Sequence, residues 1–280
     1  MTIAASIFAL KSLIEGFTIK LCIFNLATVV LNVFLLQDWV PASSVYFSLN
    51  GVAWYLSLCL FLYFVFPFLM KWIRKIRSNK EAFITIFIIY GVQILIGFLS
   101  SFLPQSIWIF DNISKWIIYI LPLFRLGDFT TGCCLCYLYL NRSHKLNMGI
   151  YSMLEIIVWL VIIGSEYFYK NQIGFLGSEW FRYTMLYTLS SSALVYLFAI
   201  KKGFITNIIT NKFFVYLGNI SAFTFLMHQM IIRYFNVICC ELFDFNLNVW
   251  VKVLFILMIT VIAAQIYSTI EVYAKRKMQK

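Results

Sequence analysis

Charge is what this sequence has least of. Lys and Arg number 22 and Asp and Glu 11, together 12% of 280 residues, against 62% hydrophobic and 19% aromatic. Mean hydropathy is +0.89. Soluble domains carry roughly 25% charged residues, so a soluble domain is excluded and the chain reads as an integral membrane protein. Short segments of alternating hydrophobicity are missing, which excludes a membrane β-barrel. No Walker, Rossmann or zincin motif, no internal repeat and no low-complexity tract occurs. No basic segment precedes the first apolar stretch and no A-x-A site closes it, so a secretory signal peptide is not expected.

What is there is apolar sequence in long runs. About 20 helical residues cross a bilayer core, and eight runs near that length follow one another: Phe17 to Leu36, Gly51 to Lys71, Ala82 to Leu103, Trp116 to Leu140, Gly149 to Tyr169, Phe181 to Ile200, Phe213 to Phe235 and Val249 to Tyr273. Backbone groups must be satisfied inside the membrane. The expectation is an all-α polytopic bundle of about eight spanning helices, one domain over residues 1–280, with no room for a soluble domain. Ahead of the first run, Ile3, Ile7, Phe8, Leu10, Leu13, Ile14 and Phe17 recur at helical spacing around Lys11 and Glu15, as in a helix lying at the interface or opening a long first span.

The +11 net charge is sorted along the chain. Lys11 and Lys20 precede run one; Lys71, Arg74, Lys75, Arg77 and Lys80 follow run two. Arg142 and Lys145 follow run four, Lys201, Lys202 and Lys212 follow run six, and Lys275, Arg276, Lys277 and Lys280 end the chain. The alternate loops hold only Lys115, Lys170, Arg182, Arg233 and Lys252. By the positive-inside rule both termini are cytoplasmic; the charge reads as topology and attraction to anionic lipid, with no nucleic-acid partner. Seven cysteines, an odd number and mostly within runs, do not suggest a disulfide framework. CCLC at Cys133 to Cys136 lacks paired C-x-x-C spacing and reads as small packing residues, not a metal site, and a bridge between the neighbours Cys239 and Cys240 is not expected.

Ionisable groups at membrane depth cost roughly 2.5–3.5 kcal/mol and face a partner or a cavity, so each one is a candidate. Arg125 and Asp128, in PLFRLGDFTTG, stand at i and i+3 and can pair. Either the pair neutralises itself and fixes packing, or Arg125 presents positive charge to an anionic group in a cavity. Glu155 reads as a partner for a neighbouring polar group. His228, in NISAFTFLMHQMIIRYF, is either a hydrogen-bonded packing residue or a proton acceptor for a hydroxyl. No G-x-S-x-G turn supports serine-hydrolase chemistry. Trp39 and Trp54 read as interfacial anchors, and Pro67 as a proline tolerated inside a span.

Three stretches together resemble the integral-membrane acyltransferase 3 family, whose members move acyl groups, commonly acetyl, onto hydroxyls of cell-surface sugars. QDWVP through NGVAWYLSLCLFLYFVFP is similar to its outer loop and W-S-L-S-x-E-x-x-F-Y-x-x-x-P helix, with Asn50, Trp54, Ser57 and Tyr63 as motif positions. PLFRLGDFTTG is similar to its P-x-x-R-L-x-E-F-x-x-G helix, and YLGNISAFTFLMHQMII to its L-G-x-I-S-Y-x-x-Y-L-x-H helix; Glu271 matches an acidic residue that closes the last span. The departures are Cys59 at the W-S-L-S-x-E glutamate, Asp128 for the acidic residue after the arginine, and Ala222 for the tyrosine after I-S. Relative to the family the chain begins at what would be the third helix, so no position inherits the arginine and histidine of the first two.

The resemblance implies an O-acyltransferase of the bacterial inner membrane, with no tightly bound cofactor. Acetyl-CoA or another acyl-CoA would be the donor, a glycan hydroxyl of the envelope or an exopolysaccharide the acceptor, and lipid the solvent. Lys71, Arg74, Lys75 and Arg77 would meet the donor phosphates. Arg125 would stabilise negative charge, Asp128 would orient it and His228 would accept a proton or line a pore. The alternative is a catalytically inactive or truncated relative acting as a membrane component of polysaccharide synthesis or export.

Overall fold

The computed structural model describes residues 19–104, 106–107, 110–142, 147–238 and 248–278. The stretch from Ile3 to Phe17 and the pair Cys239 and Cys240 lie outside the described residues.

The described chain is nearly all helix: α1 (Ile19–Val33), α2 (Trp54–Ile73), α3 (Asn79–Ser100), α4 (Pro122–Leu140), α5 (Met148–Lys170), α6 (Thr188–Ile200), α7 (Phe204–Ile209), α8 (Lys212–Asn236) and α9 (Val249–Met278). Seven helical stretches among the described residues are long and apolar enough to cross a membrane. Of the expected first run, the described residues show α1, 15 residues, which ends just before Leu35, whose φ is +55°. Two of the seven spans open on π-helical turns: Trp116–Ile120 ahead of α4 and Arg182–Tyr187 ahead of α6. Among the described residues strand is confined to a two-residue ladder, β1 (Ser106–Ile107) against β2 (Phe110–Asp111), antiparallel with Ser106 opposite Asp111.

The residues fall into two compact units. One holds Met1–Val30, Phe47–Ala53 and Thr210–Lys280; the other holds Leu31–Tyr46 and Trp54–Ile209. In the second unit, α3 shows why these helices associate in lipid. Its buried stripe is Ala82, Ile86, Gln93, Gly97 and Ser100, while Phe87 is 82% exposed and Phe83 and Ile88 also face outward. Small and polar residues pack inward and bulky apolar ones meet hydrocarbon, as expected where water supplies no drive for association. At Gly97 a Cβ would stand 2.5 Å from Thr184 Cγ2, so the glycine permits the close approach. The helix begins with a side-chain cap: Ser78 Oγ accepts from the Glu81 N–H at 3.2 Å, and Glu81 Oε2 reaches past the cap residue to accept from the Arg77 N–H at 2.9 Å. Within the cysteine cluster, Cys134 packs in a core of Ile73, Ala82, Ile86 and Leu138 with Cys133 against it, while Cys136 is exposed.

Glu155 is fully buried. Its carboxylate accepts the Ile205 N–H at 2.9 Å and the Thr206 hydroxyl, and Ser152 Oγ on the same helix accepts the Phe204 N–H at 3.0 Å. Side chains one turn apart on α5 thus satisfy the open amides at the start of α7, the neighbouring polar partner that the sequence suggests. Gly203 makes this possible, since a Cβ there would collide with the carboxylate. Gly203→Ala should cost about 1–3 kcal/mol, read as a lowered melting temperature in detergent; an unchanged melt would show that the contact yields freely.

In the first unit, α8 runs with α9, and the 47–53 segment is held on α8. Asn50 Nδ2 donates to Leu226 O at 2.9 Å and Arg233 Nη1 to Leu49 O at 2.8 Å. Gly51 lies where a Cβ would be 2.6 Å from Gln229 Oε1.

Candidate active site around Arg125

The centre of the second unit is built on a helix break. Pro122 forces Leu121 into an extended conformation, ψ 119°, and α4 starts with the proline in its first turn. Leu121 N–H turns back to Trp116 O, while the Phe124 and Arg125 amides both reach Leu121 O. The carbonyl of Tyr119 is therefore left for a side chain, and Arg125 Nε donates to it at 2.9 Å. The guanidinium also lies 5.2 Å over the Tyr119 ring, a cation–π contact.

Arg125 Nη1 donates to Asp128 Oδ2 at 2.7 Å, the i,i+3 pair expected from the sequence. The other carboxylate oxygen, Oδ1, accepts from Gln93 Nε2 at 2.9 Å, and the same amide reaches Phe124 O at 3.2 Å. Gln93 fits because Gly127 has no side chain; a Cβ there would be 2.8 Å from Nε2. Asp128 is thus bonded through both oxygens. Two of the five guanidinium N–H groups are spent, and Nη2 has no hydrogen bond among the described residues.

Arg125 and Asp128 line a cavity of about 230 Å³, together with Gly132 from α4 and Tyr187, Thr188, Ser191 and Ser192 from the facing helix. Ligand pockets begin near 300 Å³, so this one, which Leu135 and Val195 also line, suits a small group and not a long chain. A Cβ on Gly132 would meet nothing within 4 Å; that glycine opens space. Behind the cavity the two π-helical turns meet: Tyr119 and Tyr183 rings are 4.9 Å apart, Trp54 lies 5.1 Å from Tyr119, and Tyr183 lies 5.7 Å from Tyr187. Arg182 closes the column, 3.9 Å over Tyr169 and bonded to Glu166 from Nη2 at 2.8 and 2.9 Å and from Nε at 3.3 Å, and Tyr187 donates to the same carboxylate. π-helical turns inside α-helices are frequently found at functional sites.

The family model described as an acyltransferase domain matches residues 12–269. The chain belongs to the acyltransferase 3 family. No curated protein and no solved structure matches it. As a family member it is a membrane acyltransferase, and the cavity around Arg125 is a place in its spans where unspent donors meet open space.

The other motif positions of this acyltransferase fall in different settings. His228, on α8 in the first unit, directs Nδ1 to Phe225 O at 2.6 Å; the carbonyl can only accept, so Nδ1 carries a proton. Glu271 pairs with Lys275 at 2.6 Å along α9. Lys71, Arg74, Lys75 and Arg77 are all exposed, set around the buried anchors Ile73 and Ile76, and none forms an ion pair with the described residues. Tyr63 is 76% exposed and faces lipid. Trp39 meets Phe61 edge-on at 5.3 Å, and Trp54, expected as an anchor, packs in the aromatic column.

Ser57 leads to a residue that sequence reasoning passed over. Asp38, in the turn Gln37–Trp39, is fully buried with both carboxylate oxygens unpartnered, and Ser57 Oγ is buried without a partner as well. Burial pushes the Asp38 carboxyl up to about 8 from 3.8, with Ser57 opposing weakly; the hydroxyl is near enough to act on the charge but forms no hydrogen bond of ordinary geometry. A charged carboxylate without donors is costly in such a place, so Asp38 is protonated at neutral pH. Its carbonyl accepts Trp116 Nε1 at 2.8 Å, which ties it to the π-helical turn that carries Tyr119. The signal was present in the sequence as a lone carboxylate before a span.

Proposed function

We propose that this acyltransferase performs O-acyl transfer, moving an acetyl group from cytoplasmic acetyl-CoA to a hydroxyl of an envelope or exopolysaccharide sugar at the bacterial inner membrane. The observation that carries this reading is Arg125, clamped through Nε and Nη1 while Nη2 lies unspent beside a small cavity. Acyl transfer develops negative charge on a carbonyl oxygen, and a fixed donor in a water-poor site stabilises it most. Asp128 orients the guanidinium. The exposed cations Lys71, Arg74, Lys75 and Arg77 supply charge for the donor's phosphates, and His228 serves as a supporting proton acceptor.

A second reading is a non-enzymatic membrane component of polysaccharide synthesis or export. It is favoured by Cys59, which stands where the family motif has glutamate. Membranes containing the protein are incubated with radiolabelled acetyl-CoA, and label is followed into envelope glycan. The enzyme reading expects transfer that an Arg125→Ala protein loses; no label above that control would sink it and leave the second reading.

A further inference from the structure

The hydroxyls that line the Arg125 cavity are not equivalent. Thr188 Oγ1 donates to Tyr183 O at 3.1 Å, Ser191 Oγ to Tyr187 O at 2.6 Å, and Tyr187 to Glu166. Each has spent its one proton, as hydroxyls in helices commonly do on the preceding turn. Ser192 differs. Its oxygen receives the Tyr90 hydroxyl at 2.9 Å, the shorter of two contacts that tyrosine makes, the other being Thr188 O at 3.2 Å. A hydroxyl has one donor and two acceptor positions, so Ser192 accepts from Tyr90 and keeps its own proton. Tyr90 comes from α3, the helix that also supplies Gln93 to Asp128, so one helix buttresses both walls.

Two unspent donors therefore border one cavity: Arg125 Nη2 from α4 and the Ser192 hydroxyl from α6. We propose that Ser192 is a catalytic residue, the second donor, with Arg125, to the carbonyl oxygen of the acyl group in transit.

The proposal rests on acyl transfer as read above. The acceptor hydroxyl oxygen attacks the carbonyl carbon of the thioester, a C–O bond forms, and the carbonyl π pair moves onto oxygen. That oxygen is held by Arg125 Nη2 and Ser192 Oγ–H. When the pair returns, the C–S bond breaks and the thiolate takes up the proton released by the acceptor, so thioester and alcohol become ester and thiol. Polarisation by Tyr90 strengthens the donor, because a hydroxyl that accepts a hydrogen bond donates a better one.

The test compares acetyl transfer by the full chain with that of Ser192→Ala, Ser192→Thr, Ser191→Ala and Tyr90→Phe, with melting temperatures to confirm folding. Loss of one oxyanion donor costs about 10²–10³ in kcat; Ser192→Ala should fall by that much with KM nearly unchanged, and Ser192→Thr should recover most of it. Ser191→Ala, which removes a hydroxyl of the same cavity whose proton is already spent, should lose at least tenfold less. Tyr90→Phe should fall between. Equal losses in the two alanine variants, or a Ser192→Ala protein with the original kcat, would overturn the proposal. An unmutated protein that transfers nothing refutes the acyl-transfer reading itself, a distinct outcome.

Discussion

Arg125→Lys should lower kcat for acyl transfer by about 10²–10³-fold although the charge is retained. The reason is the number of tasks that one planar group performs. Nε holds Tyr119 O at 2.9 Å, Nη1 holds Asp128 at 2.7 Å, and the ring of Tyr119 lies beneath at 5.2 Å; only a rigid fork fixed at two points can aim a third group at the cavity. An ammonium is a point charge on a flexible stem and cannot satisfy the same directions. Asp128→Asn separates aim from charge, since it keeps the shape but weakens the hold on Nη1, and it should lose less than Arg125→Lys. Steady-state kinetics with acetyl-CoA and an acceptor glycan decides: a lysine protein within threefold of the original kcat would mean that Arg125 acts only through its charge or only in packing.

Much of this arrangement was legible in the sequence, and its limits are instructive. Continuous apolar runs gave the helical bundle because lipid admits little else. Arg125 and Asp128 were legible as a pair because i,i+3 spacing on a helix dictates contact. Gln93 was legible in principle as a lone amide in FIIYGVQILIGF, yet its target lay 35 residues away and only packing at Gly127 reveals it. Ser192 could not be singled out from SSS at 190–192, since which hydroxyl keeps its proton depends on Tyr90 from another helix. The π-helical turns were hidden too: periodicity averaged over a span does not register one extra residue, and that phase shift sets which faces carry Tyr119, Tyr183 and Tyr187. Trp54 reads as interfacial from its place at the end of a span, but its ring contact with Tyr119 at 5.1 Å joins residues 65 positions apart and was not legible.

Asp38→Asn should stabilise the protein at alkaline pH and flatten the pH dependence of its melting. The sign follows from where the proton sits. The carboxyl ionises near 8 in the folded protein and near 3.8 when freed, so between those values the native state holds a proton that the unfolded state has released. Stability then falls as pH rises through that window, by up to about 1.4 kcal/mol per pH unit, and the loss is complete above 8. Asparagine keeps the shape and does not ionise, so the advantage of the variant should grow from pH 5.5 to pH 8.5 and reach several kcal/mol. The consequence reaches the cavity, because the backbone of Asp38 holds Trp116, and the turn begun by Trp116 places Tyr119 beneath Arg125. Charging the buried carboxyl therefore strains the support of the guanidinium, and acyl transfer by the original protein should decline above about pH 8 while the asparagine variant holds its rate. Melting curves in detergent at the two pH values, with transfer rates alongside, test both halves; parallel pH slopes for the two proteins would show that Asp38 carries no proton in the folded state.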